Sequence, residues 1–245
     1  MNKIFGYELR RLMWNKLFFG VLAVTLGYGW LTLTGSVIRG VACTAPFSPW
    51  SFGYYLSRTM PLICLGELFF LAFFYSKEES LLRPLTQATP VRQWKYMLLR
   101  GGAVLTAAAI LCLCAASLAI IFYVRLFGWM DYGALLYPAL LTLIPPVLFC
   151  LGAGLFLGWL RPVLLYALMA AVLLLSVLPL PPAVSLSLST FFEQYPLTAE
   201  TLDPPFLVPG WLAVSKILLA FLGIFLAAAA AGMSGMQKRV VFSAE

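Results

Sequence analysis

Six long apolar segments are the feature that most constrains the fold of this chain. They cover residues 17–37, 60–75, 101–123, 132–158, 163–178 and 211–234. A helix that crosses the hydrocarbon core of a bilayer needs about 20 mostly apolar residues. The second and fifth segments are short, so we expect flanking residues such as Leu56 and Leu180 to extend them. The chain is therefore predicted to be an all-α polytopic membrane protein with six transmembrane helices in one domain, residues 1–245.

The composition favours lipid as the solvent for this fold. The mean hydropathy is +0.96 and only 10% of the residues are charged, which leaves too little polar surface for a soluble globule. Short cytoplasmic loops of membrane proteins carry an excess of Lys and Arg. Placing the N-terminus inside puts most of the cations in the cytoplasm and leaves three in the opposite loops, which are Arg39, Arg58 and Arg125.

The predicted topology is a multi-pass plasma-membrane protein with both termini cytoplasmic. Lys216 belongs to the last segment near its outer end, where its side chain is expected to snorkel to the interface. The net charge of +7 follows from this topology. It does not indicate a nucleic-acid partner, because that would require the cations on one soluble face.

Residues 1–16 are predicted to form an amphipathic helix in the cytoplasmic interface. Apolar and basic residues fall on different faces of this helix: Phe5, Leu9, Leu12 and Met13 against Lys3, Arg10 and Arg11. Such a helix lies in the plane of the membrane surface. A simple positive anchor that sets orientation is the alternative. A cleaved signal peptide is not expected, because Trp30, Leu31 and Leu33 stand where small residues would be needed.

The residues that membrane enzymes use are missing from this chain. It contains no histidine, so the EExxxR pattern of Glu78, Glu79 and Arg83 lacks the histidines of the intramembrane proteases that share it. A serine protease would lack its base for the same reason. No Walker-type phosphate loop occurs, and the five cysteines do not form a metal-ligand pattern. The chain is predicted not to be an enzyme and to hold no cofactor.

Residues 76–100 form the strongly charged block inside the chain. Thr89 and Pro90 are typical of a helix start, because threonine caps free N–H groups and proline suits the first helical position. Apolar residues recur at helical spacing on both sides of this start: Leu81, Leu82, Leu85 and Ala88 before it, and Val91, Trp94 and Leu98 after it. Pro84 breaks or kinks the first piece. The block is predicted to be an amphipathic elbow that docks a soluble partner and continues into the third span.

This order of features resembles the ABC-2 type transporter permeases. The residues that carry the resemblance are Glu78, Glu79, Thr89, Pro90, Val91, Arg92, Trp94, Tyr96, Leu98 and Leu99. The six-span plan, the interfacial N-terminal helix and the long external segment before the last span are similar too, so the resemblance covers most of the chain. The glycine usual after the acidic start is absent, and Thr86 and Gln87 stand where the family usually has a Leu-Leu pair. An ordinary basic loop is the alternative.

The resemblance implies a permease subunit of an ATP-driven exporter, whose coupling helix between spans 2 and 3 seats in the ATPase. The residues expected to couple to the ATPase are Glu78, Glu79, Leu81, Leu82, Arg83, Leu85, Thr89, Pro90, Val91 and Arg92. The implied partners are two ATPase subunits, which would hold the ATP and Mg²⁺, and a second permease copy or a paralogue. Membrane lipid surrounds the assembly.

Three features within and between the spans are candidates for the translocation pathway. Glu67 is the one carboxylate deep in a predicted span, where an acid is a functional candidate by default; a structural hydrogen bond or a neutral acid is the alternative. Pro145 and Pro146 are expected to kink or break the fourth span. Phe191 and Phe192 indicate an external re-entrant segment within residues 179–210, between spans 5 and 6, for which an ordinary ordered loop is equally suitable.

The first external loop is predicted to span residues 39–58. Its aromatic residues fit an interfacial belt: Phe47, Trp50, Phe52, Tyr54 and Tyr55.

The substrate is inferred from the resemblance alone. The short loops favour a hydrophobic or amphipathic peptide or antimicrobial as substrate, which the protein would export or against which it would give immunity. Export of a polysaccharide, lipid or drug by the same mechanism is an alternative. Two further alternatives belong to other classes of protein. One is a secondary transporter, which would require paired intramembrane charges or an inverted repeat; the other is a non-transporting membrane scaffold.

Overall fold

A computed structural model describes residues 2–76, 93–178, 180–199, 201 and 203–242, with the side chains of residues 2, 93, 199 and 235–242 left out of the description. Within these residues the chain is helical and has no strand. The α-helices are α1 (Asn2–Met13), α2 (Lys16–Gly35), α3 (Pro49–Phe74), α4 (Gln93–Phe127), α5 (Gly133–Leu160), α6 (Val163–Val177), α7 (Ser189–Gln194) and α8 (Gly210–Phe242). Short 3₁₀ helices cover Val37–Arg39 and Pro196–Ala199.

Five of the described helices are long and apolar enough to cross a membrane. They lie within Lys16–Arg39, Pro49–Phe74, Trp94–Phe127, Gly133–Leu160 and Gly210–Ser234. The remaining apolar helix, α6, has 15 residues and a length of about 22 Å, against about 30 Å of hydrocarbon. The structure therefore has the helices of a membrane protein, and the predicted fifth segment is its shortest apolar helix.

Helix α3 lies at the centre of the bundle and packs against α2, α4, α5, α6 and α7. It begins at Pro49, well before the predicted start of the second span. The Ser48 hydroxyl caps it by accepting a hydrogen bond from the Ser51 N–H at 3.2 Å. Serine followed by proline is the usual chemistry of a helix start. The second half of the predicted first external loop, residues 49–58, is thus the start of a helix, and Arg58 lies inside that helix.

The predicted aromatic belt is wrong for most of its residues. Trp50, Phe52, Tyr54 and Tyr55 all belong to α3 and are buried. The Tyr55 hydroxyl donates to the carbonyl of Ala115 in α4 at 2.9 Å. These side chains fill the space between helices instead of facing lipid, because α3 is surrounded by other elements over this stretch.

Helices α5 and α8 make the closest crossing in the described bundle through Gly152 and Gly223. A Cβ atom built on Gly152 would overlap the carbonyl oxygen of Gly223, and one built on Gly223 would overlap the carbonyl oxygen of Leu148. Small residues allow helix backbones in membranes to approach closely enough for van der Waals packing. This crossing joins the predicted fourth and last spans.

Helix α5 continues without a break through Pro145 and Pro146, although a break was one of the two predicted effects. Each proline still removes a backbone donor and frees the carbonyl four residues earlier. These are the carbonyls of Leu141 and Thr142, and the Thr142 hydroxyl is buried without a hydrogen-bond partner. Neighbouring helices hold α5 in helical form at this point, as membrane helices with proline permit.

Candidate functional site

The end of the bundle that carries α1, here called the α1 end, holds a buried polar junction. Glu8 of α1 is 3% exposed. Its Oε1 atom accepts a hydrogen bond from the Tyr96 hydroxyl at 2.6 Å and lies 3.4 Å from Arg100 Nε. Short hydrogen bonds to a charged acceptor are among the stronger ones in proteins. The junction therefore ties the N-terminal helix to the first turns of α4.

Arg100 extends the same junction to α3. Its guanidinium donates to the carbonyl oxygen of Phe74, the last residue of α3, at 3.4 Å. It also lies over the ring of Phe74 at 5.0 Å and over the ring of Tyr96 at 4.4 Å, within the range of cation–π attraction. A single side chain thus holds together α1, the end of α3 and the start of α4.

The local sequence explains why Glu8 is buried. Phe5 lies three residues before Glu8 and Leu12 lies four residues after it, so all three side chains share one face of α1. That face packs on α4, whereas Tyr7 is 67% exposed on another face. The prediction of an amphipathic α1 did not single out Glu8. The available signal was a carboxylate inside an apolar stripe.

The junction flanks the segment predicted to couple to an ATPase. The predicted coupling residues all lie outside the described residues: Glu78, Glu79, Leu81, Leu82, Arg83, Leu85, Thr89, Pro90, Val91 and Arg92. Its two ends are described. Tyr75, next to the end of α3, donates its hydroxyl to the Leu155 carbonyl of α5 at 3.4 Å. On the other side α4 runs unbroken from Gln93, which confirms that the Trp94–Leu98 stretch continues into the third span.

Glu67 is closed inside the bundle. It is 0% exposed, and neither carboxylate oxygen has a hydrogen-bond partner. It lies close enough to Cys150 of α5 and Cys112 of α4 for electrostatic interaction, so it occupies the junction of three helices. Pro145 and Pro146 are buried about one turn before Cys150 on α5. Glu67 and the proline pair thus belong to neighbouring turns of one packed region.

The cysteines around Glu67 do not make a metal centre. Over the described part of the chain, no group of three or more His, Cys, Asp or Glu side chains is arranged to hold a metal ion.

The opposite end, here called the α7 end, carries an aromatic cluster that includes the other two pathway candidates. Phe191 and Phe192 of α7 are buried. They pack with Trp50, Tyr195 and Phe206. The ring centroid of Trp50 lies 4.7–6.3 Å from those of the other four rings, which are Phe191, Phe192, Tyr195 and Phe206. The Trp50 indole N–H donates to the Pro204 carbonyl at 2.9 Å. In this structure the two phenylalanines fasten the segment before α8 to α3, and their rings face other rings.

Lys216 makes a second attachment of that segment. Its side chain is 1% exposed, and the ammonium donates to the Ser185 carbonyl. The predicted snorkelling to water is therefore wrong. The Ser185 carbonyl, from the segment before α7, lies against this part of α8, a tertiary contact that hydropathy does not report.

No known family model, curated protein or solved structure matches this chain.

Proposed function

We propose that this protein is the permease half of an ATP-driven exporter of the ABC-2 type. In this proposal α6 is a sixth crossing, extended by its flanking residues or accommodated by local thinning of the bilayer. Both termini and the α1 end face the cytoplasm, and residues 179–210 form an external re-entrant segment between the last two spans. Two ATPase subunits supply the ATP and Mg²⁺, and a second copy or a paralogue completes the pathway.

The observation that carries the proposal is the junction of Glu8, Tyr96 and Arg100. A coupling segment must pass a displacement of the ATPase to the spans, and rigid elements transmit such a displacement best. The junction joins three elements at the root of residues 77–92: α1, the end of α3 and the start of α4. A push on that segment would therefore reach these helices together.

The proposed coupling acts as follows. ATP binding closes the two ATPase subunits and moves the docked residues from Glu78 to Arg92. Tyr75 and Arg100 receive this motion at the two ends of the segment, through their contacts with α5 and with α1. The two permease halves then rock and open the pathway between them. The substrate is proposed to be a hydrophobic or amphipathic peptide.

Co-purification from native membranes with an ATP hydrolysis assay tests the proposal. The wild-type chain is expected to co-purify with an ATPase whose rate of ATP hydrolysis depends on the presence of the chain. The double variant Glu78→Lys with Glu79→Lys is expected to lose that ATPase. Glu193→Lys is the matched control, because Glu193 is an exposed acid at the α7 end. Absence of any ATPase, or equal ATPase capture and turnover by the double variant and wild type, would refute the proposal.

A further inference from the structure

Arg58 has an unusual position for a cation, inside an apolar helix. Helix α3 has 26 residues and a length of about 39 Å, so it exceeds the hydrocarbon core by about 9 Å. Arg58 lies nine residues after Pro49, about 13 Å along the helix. Even if all the excess length extends beyond the core at this end, Arg58 begins about 4 Å inside it. Intramembrane cations of this kind commonly serve function.

The guanidinium of Arg58 makes no ion pair with the described part of the protein. It lies 5.7 Å from the ring centroid of Tyr54, and no described carboxylate lies within 4.0 Å of it. Arg58 and the acid Glu193 both interact electrostatically with Tyr54. The Arg58 side chain is exposed, so its five N–H donors are open to a ligand.

A groove of about 260 Å³ lies beside Arg58, between α2, α3, α6 and the start of α7. Its polar wall includes Ser57, Ser187 and Ser189, and the last two hydroxyls lie 3.3 Å apart. Its apolar wall includes Leu62 and Leu173. Pockets that enclose a whole drug-sized molecule measure about 300–1,000 Å³. This groove is smaller, so it suits one polar head with the rest of the molecule outside.

We propose that this groove binds the head group of an anionic phospholipid. Arg58 holds the phosphate through N–H donors, the Ser187 and Ser189 hydroxyls contact the remaining polar atoms, and the first part of an acyl chain lies along Leu62 and Leu173. Charge complementarity selects this occupant, because a cation without an ion-pair partner near the membrane interface attracts anionic lipid. The apolar wall selects a lipid over a free anion. The site requires no ATPase and is independent of the proposed transport function.

Lipid titration of the purified, delipidated full-length protein by native mass spectrometry tests the site. The probes are dioleoyl phosphatidylglycerol, dioleoyl phosphatidylcholine and inorganic phosphate. Wild type is expected to bind phosphatidylglycerol in preference to phosphatidylcholine. Arg58→Gln is expected to weaken phosphatidylglycerol binding about tenfold to a hundredfold, as for the loss of hydrogen bonds to a charged group. Arg58→Lys is expected to retain most of it.

Arg125→Gln is the matched control, because Arg125 is an exposed arginine outside the groove. It is expected to bind phosphatidylglycerol as wild type does. Ser176→Phe fills the groove without removing the Arg58 charge, so it carries the test if Arg58→Gln does not fold. Equal phosphatidylglycerol binding by wild type and either groove variant would overturn the proposal. Displacement of the lipid by millimolar inorganic phosphate, or equal affinity for the two lipids, would overturn it as well.

Discussion

The junction at the α1 end predicts a measurable coupling between Glu8 and Tyr96. Glu8→Ala removes the acceptor that Tyr96 and Arg100 share. The hydrogen bond at 2.6 Å to the carboxylate is of the kind that contributes about 1.5–3 kcal/mol. The longer contact with Arg100, at 3.4 Å, adds about 1 kcal/mol or less. Glu8→Ala is therefore expected to lower the free energy of unfolding by about 2–4 kcal/mol.

A double-mutant cycle separates this coupling from a general effect on α1. Tyr96→Phe alone is expected to cost about 1.5–3 kcal/mol. In the Glu8→Ala background the same change should cost little, because its acceptor is already gone, which gives a coupling energy of about 1.5–3 kcal/mol. The assay is thermal unfolding of the purified protein in mild detergent. For a chain of this size, Glu8→Ala should lower Tm by about 5–15 °C.

The control for the cycle is Tyr7→Phe. It deletes the same hydroxyl from the same helix, but Tyr7 is 67% exposed, so the change should stay within about 0.5 kcal/mol. The reasoning is refuted if Glu8→Ala and Tyr7→Phe have the same Tm. It is also refuted if Glu8→Ala and Tyr96→Phe are additive within about 0.5 kcal/mol, since additivity is the behaviour of residues that do not interact.

Two further predictions concern the interior of the bundle. Gly152→Ala should lower the free energy of unfolding by about 1–3 kcal/mol, because its Cβ would overlap the Gly223 carbonyl. Gly27→Ala, which meets no atom within 4 Å, should be neutral or stabilising in the same thermal assay; equal losses for the two would contradict a close crossing. Glu67→Met should leave the free energy of unfolding unchanged or raise it by up to about 3 kcal/mol, because both carboxylate oxygens of Glu67 lack hydrogen-bond partners. A large loss of stability would contradict that environment, and transport assayed in vesicles with the same variant would test the pathway role.

The predicted coupling segment can be compared with the structure only at its two ends, next to residues 77–92. The continuous helix from Trp94 into the third span was predictable, because its apolar residues repeat at helical spacing without a break. Glu8 was not selected, although it interrupts the apolar face of α1. Its role depends on Tyr96 and Arg100, which are about 90 residues away along the chain. Only the fold brings those groups to one carboxylate.

The start of α3 also shows which features hydropathy predicts and which depend on tertiary contacts. Hydropathy placed the second span after the aromatic residues, because tryptophan and tyrosine often mark membrane interfaces. The Ser48–Pro49 helix start was not predicted, and the burial of Trp50 and Tyr55 required the partners that cover them. An aromatic ring at a given depth packs against protein or faces lipid according to its neighbours, which periodicity does not identify.

The sequence by itself determined that this chain is an all-helical membrane protein, because long apolar runs with few charges have no other stable solvent. It also located the long apolar helices, although α3 begins at Pro49, eleven residues before the predicted start of the second span. The tertiary structure decided the partners of each polar group: Glu8 with Tyr96 and Arg100, and Lys216 with the Ser185 carbonyl. Removal of an apolar segment from water depends on local composition, whereas a buried polar group depends on one specific atom from a distant part of the chain.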